Sequence, residues 1–191
     1  MYEALVPRDE KRIRVTLAYL HAYGGPADKD VLTYPIRVKE FNFLRTFAVG
    51  KQYLDAQRET LAQFDQLLGR FACDLLVGAP TTDDLLVPYL EVARAKFPDA
   101  IDLSSAFRKA DGVRGGATRS FGELWPQILF TSTSDISARR AVIIVDDAIA
   151  DGRTSAVMFE RLLEAGLPND ASLIVAAPVC GTSRGGPIPA A

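Results

Sequence analysis

Along this chain the apolar positions change period several times, and each change predicts an element. Ile13, Val15, Leu17 and Tyr19 alternate with Arg14, Thr16 and Ala18, the period-two pattern of a half-exposed strand. Gly24, Gly25 and Pro26 end it, and residues 1–11 before it read as a polar lead-in. Val31 to Val38 reads as a second strand, confined to a sheet edge by Pro35. Helical spacing follows: Leu54, Leu61, Phe64, Leu67, Leu68 and Phe71 predict a helix from Tyr53 to Phe71. Leu75–Leu76–Val77 is a short buried strand ending in the turn Gly78–Ala79–Pro80. A helix to Phe97 comes next, capped by Thr81 or Thr82, with Asp83 and Asp84 in its first turn. Ala100 to Phe107 reads as extended. Arg108 to Phe121, rich in glycine and arginine and without period, reads as a long mobile loop, and loops of this length are often functional. Ile128 to Thr131 is a short strand.

Val142 to Val145 is a run of branched apolar residues, the mark of a strand buried on both faces. Asp146 and Asp147 follow, then a short loop with Gly152, then a helix opening at Thr154. Val157, Met158, Leu162 and Leu163 give that helix its apolar face, and Gly166 closes it. Leu173 to Val179 is a last buried strand, and residues 181–191, rich in glycine and proline, form a flexible tail. Strands alternating with helices predict an α/β fold: a mostly parallel, Rossmann-like sheet with helices on both faces. Such sheets bind ligands at the C-terminal ends of their strands. Asp146–Asp147 and the turn from Gly78 to Thr82 both belong at that edge.

The chain has 191 residues, enough for one domain, or one domain with a small appendage, with a buried core. A formal net charge of −2 gives no field to draw nucleic acid or an anionic membrane. Glu3, Arg8, Asp9, Glu10, Lys11 and Arg12 stand where a signal peptide would be apolar, and no apolar run reaches the length of a membrane span. Cys73 and Cys180 make no disulfide framework and read as buried thiols in a reducing cytoplasm. His21, the only histidine, reads as the end of a strand, and one histidine with two distant cysteines makes no zinc site. Trp125 reads as core or interface ahead of a base-stacking platform.

A strand, an acidic pair, a tight loop and a helix N-terminus together suit a sugar phosphate. Loop and helix N–H groups hold the phosphate, and carboxylates accept from sugar hydroxyls or approach a hard cation. Two simpler readings stay open. Thr81, Thr82, Asp83 and Asp84 serve equally well as a helix cap, and Arg108–Lys109 as solvated loop charges.

The run Val142 to Ser155 resembles the signature of the type I phosphoribosyltransferases: apolar residues, two acids, a short loop and Gly-x-Thr. Other pieces match in order from Tyr53 to Val179, namely the strand and turn Leu75 to Thr82 and the Arg108–Lys109 pair before a glycine- and arginine-rich stretch. The resemblance implies a core over residues 53–180, with residues 1–52 as lead-in and a small N-terminal hood over the acceptor site. It implies phosphoribosyl pyrophosphate (PRPP) as donor, Mg2+ as cofactor, a small nitrogenous base as acceptor, and a homodimer. Asp146 and Asp147 would contact the ribose hydroxyls and a metal, directly or through PRPP or water. Ala148, Ile149, Ala150, Asp151, Gly152, Arg153 and Thr154 would hold the 5′-phosphate. Ala79, Pro80 and Thr81 would meet the pyrophosphate, and Lys109 with Arg108 or Arg114 would close over the leaving group. The implied reaction is transfer of ribose 5-phosphate to a nitrogen of the base with release of pyrophosphate. A non-catalytic PRPP or nucleotide sensor, and a hydrolase of a ribose-phosphate compound, remain as alternatives on the same fold.

The sequence departs from the family pattern at three places. Asp151 stands where many members carry threonine. Ala150 stands where some carry an acid. The turn after Gly78 lacks the extra glycines common there. A carboxylate about 5 Å from a phosphate charge costs roughly 1 kcal/mol at the dielectric of water and roughly 3 kcal/mol at an effective value of about 20.

Overall fold

The computed structural model describes residues 2–8, 11–23, 50–81, 86–110, 120–149, 152–181 and 188–189. Nine strands are described: β1 Tyr2–Arg8, β2 Lys11–Tyr23, β3 Leu75–Gly78, β4 Ile101–Leu103, β5 Phe107–Lys109, β6 Ile128–Phe130, β7 Ala141–Val145, β8 Ser172–Gly181 and β9 Ile188–Pro189. The described helices are α1 Gly50–Leu68, α2 Val87–Lys96, α3 Phe121–Leu124 and α4 Arg153–Glu164, with a 3-10 turn at Trp125–Gln127. The main sheet has the order β4-β3-β7-β8-β2-β1-β9. Its first five strands are parallel; at one edge β1 pairs antiparallel with β2, and β9 antiparallel with β1. The expected α/β class, mostly parallel with helices on both faces, is what the chain forms.

Alternation along the central strands assigns side chains to two cores. Val142 and Ile144 of β7, Leu75 and Val77 of β3, and Val175 and Ala177 of β8 face one way, onto Ala156, Val157, Met158, Phe159 and Leu162 of α4. Ile143, Val145, Leu76, Ile174 and Ala176 face the other way, onto Phe64, Leu67 and Leu68 of α1 and Tyr89, Leu90 and Ala93 of α2. Burial on both faces explains the unbroken Val-Ile-Ile-Val run. Each such side chain adds about 1.5–3 kcal/mol over an exposed one. At the N-terminal edge of the sheet, Asp74 joins three strands. Its carboxylate accepts from the N–H groups of Arg140 and Ala141, both at 2.9 Å. Its own N–H donates to the Ala141 carbonyl at 2.9 Å, and its carbonyl accepts from Ile101 at 3.1 Å.

Several expectations need correction. Residues 1–11 are not only a polar lead-in, because β1 pairs along its whole length with β2. β2 is an interior strand between β8 and β1, and from Val15 to Leu20 its side chains are buried or half-buried, with none exposed. Both strands lie in the main sheet. α2 begins at Val87 with Leu86 at its N-cap and no side-chain cap, so Thr81 does not cap it. Pro88 in the first turn suits that start, where a missing N–H costs nothing. Ile128 to Phe130 is a strand, but it pairs only with β5 and stands outside the parallel sheet. Part of the expected tail, Ile188–Pro189, pairs with β1. The strand expected at Val31 to Val38, and Thr82, Asp83, Asp84, Arg114, Ala150 and Asp151, lie outside the described residues.

Candidate functional site

The order of the strands makes one crevice. From β3 the chain passes through α2 to β4 on one side, and from β7 it passes through α4 to β8 on the other. The two helices also lie on opposite faces of the sheet. β3 and β7 are thus neighbours whose connections diverge, the arrangement that opens a ligand crevice beyond their C-terminal ends. The two segments leaving those ends are Ala79–Pro80–Thr81 and Asp146–Asp147, the two that the sequence singles out.

Backbone hydrogen bonds fix them relative to each other. The Ala79 N–H donates to the Val145 carbonyl at 2.8 Å, and the Asp146 N–H donates to the Ala176 carbonyl at 2.9 Å. Asp146 folds its carboxylate back, with Oδ1 accepting from the Asp147 N–H at 2.8 Å. Both aspartates are half-buried. The chain then returns to the sheet, where Ile149 pairs with Cys180 in the register that Val145 keeps with Ala176. Ile149 is buried in the core, so its side chain packs the loop down onto the sheet. Gly152 has φ of 78°, the left-handed region open to glycine, and stands at the N-cap of α4. Its carbonyl accepts from Ala156 at 2.9 Å. Helix geometry gives the first-turn N–H groups of α4, at Arg153 to Ser155, no acceptor within the helix, and the helix dipole adds positive potential there.

Gly78 is explained by packing. A Cβ there would stand 2.8 Å from the carbonyl oxygen of Ser104, in the turn between β4 and β5. That turn is held by Arg94, whose Nε donates to Asp102 at 2.7 Å and whose Nη2 donates to the Ser104 hydroxyl at 2.6 Å. The Ser104 N–H donates to the other Asp102 oxygen at 2.8 Å. Burial alone would raise the Asp102 pKa, but the hydrogen bonds from Ser104 and Arg94 outweigh it and hold the carboxyl below its usual value.

Arg108 and Lys109 lie on β5, opposite Leu129 and Ile128 of β6. Successive strand residues point to opposite faces. Phe107 turns into the core against Phe130, with ring centres 4.7 Å apart. Lys109 therefore shares the Phe107 face, and Arg108 takes the other. The expected cationic pair is split across the two faces of a ribbon. After residues 111–119, which lie outside the described residues, Ser120 and Glu123 form a capping box for α3. Trp125 stacks on Phe121 with ring centres 5.5 Å apart, and the Arg161 guanidinium lies 3.8 Å from its ring centre. These contacts give Trp125 a packing role.

The backbone of His21 pairs with Val179 in the main sheet. Among the described residues no group of three or more His, Cys, Asp or Glu side chains forms a metal site. No described helix is long and apolar enough to cross a membrane. Arg94, Asp102, Ser104 and Arg161 escape a reading of the sequence. Asp102-x-Ser104 has the spacing of an Asx turn, which is the available signal.

No family model matches the chain, and no curated protein matches it. Among solved structures, the crystal structure of an adenine phosphoribosyltransferase is similar at 22% identity, covering 68% of this chain and 79% of that chain, with a TM-score of 0.39.

Proposed function

We propose that this chain is a PRPP-dependent phosphoribosyltransferase acting on a small nitrogenous acceptor. The observation that carries the proposal is the crevice between β3 and β7, where the Ala79–Thr81 segment and the Asp146–Asp147 pair leave adjacent strand ends tied by the Ala79–Val145 hydrogen bond. In this reading Asp146 and Asp147 accept hydrogen bonds from the ribose 2′- and 3′-hydroxyls. The loop Ala148 to Thr154 and the first turn of α4 hold the 5′-phosphate. Ala79, Pro80 and Thr81 border the pyrophosphate, and Lys109 or Arg108, which face opposite ways, supplies charge to the leaving group.

The reaction breaks the bond between the anomeric carbon and pyrophosphate oxygen and forms a bond from that carbon to the acceptor nitrogen. The acceptor's N–H proton is lost to solvent, and pyrophosphate leaves with its electron pair. The transition state has oxocarbenium character, as in other glycosyl transfers. Two carboxylates beside the ribose stabilise that cation, and N–H groups aimed at the phosphates hold the donor in place.

The chain's residues also fit Mg2+ of the kind PRPP carries. Magnesium keeps several waters and takes one or two carboxylates together with substrate phosphates, so Asp146 and Asp147 suffice without a dedicated protein cage. Held by Asp146 and Asp147 with the donor's phosphates, the ion would supply positive charge toward the pyrophosphate.

A second reading, a non-catalytic PRPP or nucleotide sensor, draws on Asp151, whose carboxylate stands in the phosphate loop of the sequence. Calorimetric titration of PRPP with Mg2+, against ribose 5-phosphate, tests the shared site. Saturable PRPP binding followed by pyrophosphate release that requires a base establishes the transferase. Binding without turnover on any base selects the sensor. No PRPP binding by the folded protein overturns both.

A further inference from the structure

The β5–β6 ribbon stands on two feet, and an arginine fastens each. At the first foot, Arg94 in the last turn of α2 reaches Asp102 at 2.7 Å and Ser104 at 2.6 Å, immediately before β5. At the second foot, Arg161 of α4 donates from Nη2 to the Trp125 carbonyl at 2.9 Å, and its guanidinium lies over the indole, shortly before β6. Its Nε is buried without a hydrogen-bond partner among the described residues. Between the feet the ribbon closes on itself. Ala110 donates to Gln127 at 2.8 Å, and Thr131 donates to Ala106 at 2.9 Å.

The two helices that supply these arginines are the ones that follow the two site segments. α2 comes after Ala79–Thr81 in the chain, and α4 comes after Asp146–Asp147. The first foot also lies against the end of β3, where the Ser104 carbonyl leaves no room for a Cβ on Gly78. We propose that Arg94 and Arg161 are positioning residues, each fixing one foot of the ribbon that carries Arg108 and Lys109 to the helix behind one side of the crevice. The kinetic consequence rests on the PRPP reading, while the anchoring rests on the contacts alone.

Arginine suits both places for a reason that lysine cannot meet. Arg94 serves two acceptors at once through Nε and Nη2, and Arg161 combines a planar stack with a directed hydrogen bond. A lysine ammonium is a single point charge on a flexible stem. The Arg94–Asp102 pair is exposed, with 44% and 40% of the two side chains accessible, so its loss alters global stability little. What it restricts is local.

The test uses the full chain and the variants Arg94→Lys, Arg161→Lys and the double variant. Without ligand, amide hydrogen exchange is followed across residues 104–110 and 128–131. Each single variant is expected to speed exchange at its own foot by about fivefold or more, as for an easier local opening, while α1 keeps its protection. Wild-type exchange at both feet in all variants overturns the anchoring. With PRPP, Mg2+ and the accepted base, the double variant is expected to lose roughly ten- to a hundredfold in kcat with a smaller change in the KM for the base. Faster exchange with unchanged kcat and KM overturns the positioning role. Absence of PRPP binding in the wild type overturns the function reading and removes the kinetic half with it. The exchange measurement then decides the anchoring alone.

Discussion

The Ala79 N–H donates to the Val145 carbonyl across 2.8 Å, continuing the β3–β7 ladder one step past the last paired residues, Gly78 and Val145. The acidic pair and the segment Ala79–Thr81 therefore leave the sheet from a shared, fixed base. Substitutions that alter carboxylate charge without altering this base should separate binding from folding.

Asp146→Asn combined with Asp147→Asn meets that condition. An asparagine at 146 keeps an oxygen to accept from the residue 147 N–H, the contact seen at 2.8 Å in the native chain. Both side chains are only half-buried. PRPP affinity is expected to fall at least about tenfold, roughly the loss of one charge-assisted hydrogen bond of about 1.5 kcal/mol or more. The thermal midpoint should stay near that of the native chain. Calorimetry and thermal unfolding on the same preparation check both halves, and native affinity in the variant would show that the ribose does not meet this pair.

Gly78→Ala tests the close approach of the β4–β5 turn. The added Cβ would fall 2.8 Å from the Ser104 carbonyl and 3.2 Å from a Leu90 methyl. Leu90 can rotate away, but a backbone oxygen cannot without moving its turn. Overpacking of this kind costs about 1–3 kcal/mol. A urea titration should show a lower midpoint with an unchanged slope.

The parts legible in the sequence are those whose cause is local. The Val142–Val145 run, the acid pair after it and Gly166 at φ 101° after α4 each carry their signal within a few residues. β1 carries none. Tyr2–Arg8 mixes charged and apolar positions, and it is a strand because residues Lys11 to Leu17 of β2 supply its ladder. Arg108 and Lys109 read as loop residues for a similar reason. β5 and β6 have three residues each and find one another across a long gap in sequence. Asp74 shows no pattern at all, because its partners Arg140 and Ala141 are distant in the chain.

Asp74→Ala should be among the most destabilising polar substitutions away from the crevice. It removes the acceptor for two backbone N–H groups where β3 and β7 begin. Unsatisfied partners of this kind cost about 1–3 kcal/mol each when buried, and Ala141 is only partly covered, so about 2 kcal/mol in total is expected. Asp74→Asn, which retains one acceptor oxygen, should recover about half of that loss in a denaturant titration.

Both cysteines should resist alkylation in the folded protein. Burial pushes the Cys73 thiol up to about 11, against backbone hydrogen bonds that pull it down, and Cys180 is fully buried. The thiolate is the reactive form, so Cys73 should be nearly inert at about pH 8 and react quickly in denaturant. The sign for stability follows. A folded pKa raised above the unfolded one favours the native state at and below neutrality, and that contribution is lost as pH rises from the unfolded value towards about 11. Mass spectrometry after timed iodoacetamide exposure measures the first effect, and rapid native labelling at about pH 8 would contradict it.

Asp151→Thr tests the acid in the phosphate loop. Residue 151 is joined directly to Gly152, which caps α4 with φ of 78°. In the proposed site a 5′-phosphate binds at that same helix terminus, so a carboxylate next to the terminus in sequence would repel it. At about 5 Å their repulsion is roughly 1 kcal/mol in water-like surroundings and roughly 3 kcal/mol at an effective dielectric of about 20. Replacing the carboxylate by threonine removes the repulsion and adds a hydroxyl donor. Affinity for both PRPP and ribose 5-phosphate is expected to rise about fivefold to a hundredfold, with the gain shrinking as salt is added. Titration of the two ligands at low and moderate ionic strength measures it. Weaker binding in the variant would mean that Asp151 itself serves the ligand, as an acceptor for a sugar hydroxyl or a base N–H.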